Sequence, residues 1–375
     1  MMVFARTDTS LVGRWWWTVD RWTLAALACL MGLGALLILA VSPAAAARLE
    51  GLGTFQLAQR QILFLTVALA TVLGVSLLDP RSLRRLALLG LAACIPLLAL
   101  TLLAGHEIKG ATRWLSIGGL SFQASEFVKP FFAVTVAWLL AAQKSEQDIP
   151  GTKIALGLWV LVAALLLLQP DVGQTFVVTA VWGVQLFLAG LPLHWVGLLA
   201  LASAVGLVAT YLTLPHVAAR IDAFLDPAVG DRYQIERSME AFMNGGLFGR
   251  GPGEGTVKSQ LPDAHSDFIF AVAGEEFGLV LCLAIVMLFA FVVLRGFSRL
   301  MHENDLFILL ACTGLLTQFG LQALINMAST LHLMPTKGMT LPFISYGGSS
   351  LLALAIGMGM VLALTRRRIG RGSFA

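Results

Sequence analysis

The stretch "LPDAHSDFIFAVAGEEFG" (residues 261–278) places His265 and Asp267 at the threshold of a long apolar run, with Glu275 and Glu276 inside that run. Asp267 admits two readings. As a first-turn or N-cap carboxylate it would gain roughly 0.3–1 kcal/mol from the helix N-terminus. Beside Phe268 and Phe270 it could instead act as a general base at a membrane surface, because partial burial moves carboxylates toward a useful pKa. Residue chemistry leaves both open. Glu275 and Glu276 would lie about 12 Å further along a helix. A charge at depth normally has a partner or a cavity, so a structural ion pair or hydrogen-bonded carboxyl is expected there.

Other polar residues group around this stretch. Glu126 and Lys129 in "SEFVKP" are spaced i, i+3 and would face each other on a helix, either neutralising each other or lining a polar cavity. Arg113 and Trp114, with Lys109 nearby, form a basic and aromatic patch suited to a phosphate and to a membrane interface. Lys337 stands in a stiff loop between Pro335, Gly338 and Pro342. Asp171 in "QPDVGQT" and Gln234 in "RYQIERSMEAF" are two further polar residues of the chain. The glycine-rich "NGGLFGRGPGEG" (244–255) is not a phosphate-binding GxxxxGK[ST] loop. It reads as a flexible hinge, or as a place of close backbone approach or anion binding. HExxH, CxxC and GxSxG are absent, and Cys29, Cys94, Cys282 and Cys312 lack metal spacing, so hydrolase, zinc and redox chemistry find little support. No dedicated ligand cluster calls for a metal, although a divalent cation such as Mg or Mn could share in charge stabilisation.

The elements that must position these residues are apolar helices. The 375 residues are 58% hydrophobic and 12% charged, against about 25% charged in soluble domains. The mean hydropathy is +0.84 and the pI near 9.0. Repeated runs of about 20 apolar residues can each cross a bilayer, and in lipid they must be helical. The expected fold is therefore an all-α polytopic membrane protein with about ten spans, near 22–42, 60–78, 86–104, 125–142, 152–169, 172–190, 194–212, 267–294, 305–328 and 345–365. Basic residues alternate by loop: Arg6, Arg14 and Arg21; Arg81, Arg84 and Arg85; Lys144 and Lys153; Arg295 and Arg299; then Arg366, Arg367, Arg368 and Arg371. The positive-inside rule puts these loops and both termini in the cytoplasm. "RWWWTVDRW" fits an aromatic interface belt. "AVSPAAAARLE" resembles a signal-peptidase site, but the preceding apolar run exceeds a signal h-region, so an uncleaved first span is expected.

The expected organisation is a cytoplasmic tail (1–21), one transmembrane domain (22–365) with a long outer loop at about 213–266 between spans seven and eight, and a basic tail (366–375). The aromatic residues of the long loop imply that it is folded and partly re-entrant. All the candidate polar residues fall on the outer half. Cations, an acid at a helix threshold and apolar spans suit an amphipathic substrate with a lipid tail and a phosphate-bearing head. No inverted repeat is evident, which weakens the usual transporter architectures.

Five motifs in this order, "GATRWLSIGGLSFQASEFVKP", "QPDVGQT", "RYQIERSMEAFMNGGLFGRGPGEGTVK", "LPDAHSDFIFAVAGEEFG" and "MPTKGMTLPFISYGGSSLL", resemble those of the SEDS proteins (shape, elongation, division and sporulation) over nearly the whole chain. The lysine of "PTKGMT" and the glycine before the paired glutamates look more like the division branch than the elongation branch. The resemblance implies a ten-span fold and a glycosyltransferase that polymerises lipid II during septal cell-wall synthesis. It implies work at the outer face of the inner (cytoplasmic) membrane with a class B penicillin-binding transpeptidase of the FtsI type and other divisome membrane proteins, and not with nucleic acid. The family's essential aspartate matches Asp267; its Arg-Trp, its Glu and Lys, and its loop Lys match Arg113, Trp114, Glu126, Lys129 and Lys337. Ala124, Ser266, Asp263 and the segment around Arg232 and Glu236 depart from the common pattern without removing a charged group of the site. Asp267 is then the expected catalytic base. Arg113, Trp114, Glu126, Lys129, Gln234, His265 and Lys337 are expected at the substrate, with Asp171 and Glu275 structural. The alternative is a lipid II flippase, which needs a path to the cytoplasmic side where the inner halves are nearly free of charge.

Overall fold

Loop aspartates start several of the helices. Asp20, Asp79, Asp171 and Asp305 each accept a hydrogen bond from a first-turn amide, at 3.2 Å from Trp22, 3.1 Å from Arg81, 3.4 Å from Gln174 and 3.0 Å from Phe307. Each cap satisfies a donor that the helix itself cannot. The computed structural model describes residues 10–48, 53–108, 111–117, 120–145, 149–213, 215–225, 233–335 and 338–367. Lys109, Arg232 and Lys337 lie outside the described residues, as do Arg6, Arg368 and Arg371.

In chain order the elements are α1 (Leu11–Thr18), α2 (Arg21–Ala46), α3 (Gln56–Ser76), α4 (Pro80–Ala104), β1 (His106–Ile108), β2 (Ala111–Ile117), β3 (Leu120–Phe122), α5 (Ala124–Lys144), α6 (Gly151–Leu168), α7 (Val172–Leu188), α8 (Leu193–Thr213), α9 (Pro215–Leu225), α10 (Tyr233–Gly245), a 3-10 turn (Val257–Ser259), α11 (Ile269–Leu300), α12 (Leu306–Thr330) and α13 (Gly348–Leu364). Each of the ten expected spans coincides with a helix in this series. Among the described residues, seven helices (α2 to α6, α11 and α12) are long and apolar enough to cross a membrane; α7 and α13 are shorter apolar helices of 17 residues. Helices α5, α12 and α13 are largely buried, with α5 packed among α4, α6, α7, α12 and α13. Helices α3, α4, α6 and α11 instead turn leucines and valines outward. A hydrocarbon environment tolerates that pattern and water does not.

The sheet is the addition that sequence periodicity did not foresee. Strands β1, β2 and β3 form an antiparallel meander between α4 and α5. It is fastened to the start of α13, where Ser349 Oγ accepts from the Gln123 amide at 3.2 Å.

The bundle has two distinct ends. At the terminal end, buried Asp20 accepts from Arg295 (Nε 2.7 Å, Nη2 2.9 Å) and pairs with Arg299 Nε at 2.9 Å. The Trp15 indole donates to Ser76 Oγ at 2.8 Å, and the Arg367 amide to the Thr18 carbonyl at 3.0 Å. The expected first span is integral to the fold: Leu27, Leu30, Leu37, Ile38 and Val41 of α2 are fully buried. The opposite, loop end carries the sheet, the turns at 169–171 and 261–268, and the segment 338–347.

Candidate active site

Asp267 is not a helix cap. Helix α11 begins at Ile269, and Phe268 before it makes no side-chain cap bond. The Asp267 backbone belongs to a tight turn opened by Asp263, which has a left-handed φ of 53°, a conformation that Asp adopts more readily than most residues. The Asp263 carbonyl gathers the amides of Ser266 (3.0 Å), Asp267 (3.1 Å) and Phe268 (3.3 Å). The turn is knitted to the segment 339–346. Ser345 Oγ donates to the Ser266 carbonyl at 2.6 Å, and the Tyr346 amide to the His265 carbonyl at 2.9 Å. Gln61 of α3 holds the Ser345 carbonyl at 3.0 Å. The Asp267 side chain is half-buried beside Gly338. The His265 ring lies edge-on to Tyr346 at 5.7 Å. Burial holds this imidazole below its ordinary pKa, with Asp263 pulling weakly the other way. At neutral pH His265 is therefore uncharged, able to hydrogen-bond a substrate but not to serve as a fixed cation.

A second polar group is built on α5, α7 and α12. Lys129 Nζ lies 2.9 Å from Glu126 Oε2 and donates to Gln322 Oε1 at 3.0 Å, with all three side chains buried. Gln174 donates to the other Glu126 oxygen. Its neighbour Asp171, the α7 cap, stands 3.8 Å from Arg113 Nε. Burial raises the Asp171 carboxyl above its ordinary range against the pull of Arg113. Arg113 also donates to the carbonyls of Gln169 (3.4 Å) and Pro170. It keeps about a quarter of its side chain exposed, so it is the cation of this group that faces outward. Trp114 follows it on β2, paired with His106, and is half-buried. The Glu126–Lys129 pair is thus closed inside the protein, and Arg113 and Asp171 connect it to the loop end.

Glu275 and Glu276 serve the long loop. Glu275 Oε1 accepts from the amides of Thr256 and Val257, both at 2.8 Å, and Oε2 from that of Lys258 at 3.0 Å. Glu276 pairs with buried Lys258, whose Nζ also reaches the carbonyls of Ala40 (3.0 Å) and Gly253 (2.9 Å). Helix α11 breaks at Gly278 (φ 73°, ψ −172°), and the glycine-rich segment fills the break. The Arg250 and Gly251 amides donate to the Glu275 and Glu276 carbonyls at 3.0 and 2.9 Å, and the Leu279 amide donates to the Gly246 carbonyl at 2.9 Å. A Cβ on Gly278 would stand 2.4 Å from the Leu247 carbonyl oxygen. Close backbone approach explains Gly245, Gly249 and Gly278, and a left-handed φ explains Gly246, Gly251 and Gly253, so the segment is a fitted connection and not a hinge. Gln234 lies half-buried in the first turn of α10, which packs on α11.

Among the described residues no three His, Cys, Asp or Glu side chains gather as a metal ion would require.

A model of the cell cycle protein family FtsW/RodA/SpoVE matches residues 21–369. The chain belongs to this family. It is 48% identical over 367 residues to a probable peptidoglycan glycosyltransferase FtsW of Caulobacter vibrioides, covering 98% of this chain and 94% of the relative. A protein of the same name from Hydrogenovibrio crunogenus is 37% identical, covering 92% and 91%. Among solved structures, one chain of a peptidoglycan synthase complex that coordinates polymerisation and crosslinking superposes with a TM-score of 0.74 at 31% identity, covering 92% of this chain and 97% of that one. The rod shape determining protein RodA of Thermus thermophilus superposes at 0.67 with 28% identity, covering 93% and 97%. With its apolar helices, this membership makes the chain an integral membrane protein.

Two buried polar residues of α12 escaped the sequence reading. Gln322 and Asn326 of α12 are buried and hydrogen-bonded to Lys129 and to the Asp267 turn respectively. Their signal was present: Gln318, Gln322 and Asn326 recur every fourth residue of an apolar run, and polar side chains on one face of a span point inward.

Proposed function

We propose that the chain is a peptidoglycan glycosyltransferase that polymerises lipid II at the outer face of the cytoplasmic membrane, with Asp267 as the general base. The observation that carries the reading is the Asp267 carboxylate in a preformed turn, cross-linked to a second loop, at the end of the bundle where Arg113 faces outward. The names of its relatives supply the reaction class.

The reaction is a single displacement. Asp267 takes the proton of the acceptor sugar hydroxyl as its oxygen attacks the donor's anomeric carbon. The bond from that carbon to the lipid pyrophosphate breaks, and the configuration inverts. Positive charge must meet the departing pyrophosphate. Arg113 and Lys337 are assigned to it, and Lys129 supports them from within, held by Glu126 and Gln322. Trp114, His265 and Gln234 are assigned to substrate contact, and apolar helices to the polyprenyl tails, which supplies proximity for two bound lipids. A divalent cation could share the pyrophosphate, although the donor set described above offers it no cluster of carboxylates or imidazoles. The arginine-bearing ends with both termini face the cytoplasm. The division septum is the place of action, with a class B transpeptidase of the FtsI type and other divisome proteins as partners.

The test is to supply the purified chain, with its transpeptidase, with labelled lipid II and to separate the products by size. Glycan polymer is expected. Transbilayer movement of lipid II in vesicles with no polymer in any condition would replace the reading with a flippase.

A further inference from the structure

Helix α12 runs beneath both halves of the loop-end site and presents two carboxamides to it, one helical turn apart. Asn326 uses its nitrogen twice, donating to the Asp267 carbonyl at 2.9 Å and to the Met339 carbonyl at 2.7 Å. Gln322 uses both ends of its amide. Its oxygen accepts from Lys129 Nζ at 3.0 Å, and its nitrogen donates to the carbonyl and hydroxyl of Thr340, both at 3.2 Å, and to Ser350 Oγ at 3.3 Å. Met339 and Thr340 are consecutive, so the two side chains grip adjacent carbonyls of one segment. Both side chains are about 1% exposed.

A carboxamide is planar, and its two N–H bonds point in fixed directions. Two carbonyls that share one Asn nitrogen therefore cannot drift apart without losing a bond in a setting where water does not replace it. The Asp267 turn and the segment after Gly338 are set at one spacing by Asn326. Gln322 ties the same segment to Lys129. The three parts of the site come from distant stretches of sequence, and α12 is the element that touches all of them.

We propose that Asn326 is a positioning residue: it fixes the Asp267 carboxylate relative to the segment 338–340, and Gln322 extends the same frame to Lys129. The proposal rests on the reading of Asp267 as the base. A residue that only satisfied buried carbonyls would affect stability and leave turnover per folded molecule unchanged. A positioning residue changes turnover and leaves substrate affinity in place, since misplacement of a reacting group by about 1 Å can lower a rate about a hundredfold.

The full-length Asn326→Leu variant, which keeps the branching at Cγ, adds some bulk and removes both donors, is compared with wild type and with Asp267→Asn, each purified with the transpeptidase. Labelled lipid II is titrated for binding, and initial polymerisation rates are expressed per binding-competent molecule. The expected result is a kcat more than about fivefold below wild type with KM within about threefold. A kcat within fivefold, or a fall matched by a rise in KM, overturns the proposal. If Asn326→Leu does not fold, Asn326→Asp, which keeps the shape and offers at most one donor, must show the same split; failure of both to fold assigns Asn326 to stability alone and overturns it. Activity in Asp267→Asn removes the base reading itself. An inactive Asp267→Asn beside a fully active Asn326→Leu removes only the positioning role.

Discussion

Gly338 backs directly onto the Asp267 carboxylate: a Cβ built on Gly338 would lie 3.2 Å from Asp267 Oδ2. The Gly338 φ lies outside the left-handed region, so alanine avoids left-handed strain and, among the described residues beyond its chain neighbours, meets the carboxylate alone. Gly338→Ala should therefore shift Asp267 by a few tenths of an ångström. The expected outcome is a melting temperature close to wild type and a polymerisation rate lower by about fivefold or more, read from thermal unfolding in detergent and from initial rates on lipid II.

Glu275 is the anchor of the long loop. Truncation to Ala would orphan three amides, those of Thr256, Val257 and Lys258. Each buried donor left unpaired costs about 1–3 kcal/mol, partly recovered where water can enter. Glu275→Ala should lose about 2–4 kcal/mol and loosen residues 253–260. Glu275→Gln, which keeps one acceptor oxygen, should lose less. Thermal unfolding and hydrogen exchange of that segment measure both.

The Glu126–Lys129 pair is buried on both sides. Removing one partner strands a charge at a cost of about 3–5 kcal/mol, whereas removing both does not. Lys129→Met should therefore destabilise more than the double variant Lys129→Met with Glu126→Gln. A double-mutant cycle on unfolding free energies checks the sign of the coupling.

Asp20 makes the terminal end sensitive to acid. Burial alone would raise its pKa, but hydrogen bonds from Arg295 and Thr23 and the charges of Arg299 and Arg295 outweigh burial and hold it below 3.8. A carboxyl lowered by folding contributes stability that is complete above its unfolded value and is lost as pH falls through the lower folded value. Unfolding at pH 7 and near pH 3 should show this loss in the wild type and not in Asp20→Asn. Arg295 and Arg299 keep about a quarter of their side chains exposed, so solvent screening limits the effect.

The sequence displayed the helices well, because a span must be apolar over about 20 residues and must satisfy its own backbone. It displayed Asp267, Glu126, Lys129 and Arg113 as candidates for the same reason: charge in an apolar chain is conspicuous. Contacts between distant segments were not legible. The strands at 106–122 are only three to seven residues long, too short for alternation to register. The segment 246–251 hydrogen-bonds residues 275–280, far along the chain, so its glycines looked like a hinge. Asn326 and Gln322 carry no charge, and their significance appears only when the Asp267 turn and the segment 339–340 fold back over α12.

Asp267 is the proposed base that takes the proton of the acceptor hydroxyl. Asp267→Asn keeps the size of the side chain and removes the base. With purified variant and transpeptidase on labelled lipid II, the expected result is unchanged thermal unfolding and polymer reduced by about a hundredfold or more. Polymer at wild-type levels from a folded Asp267→Asn protein would remove Asp267 from the role of base.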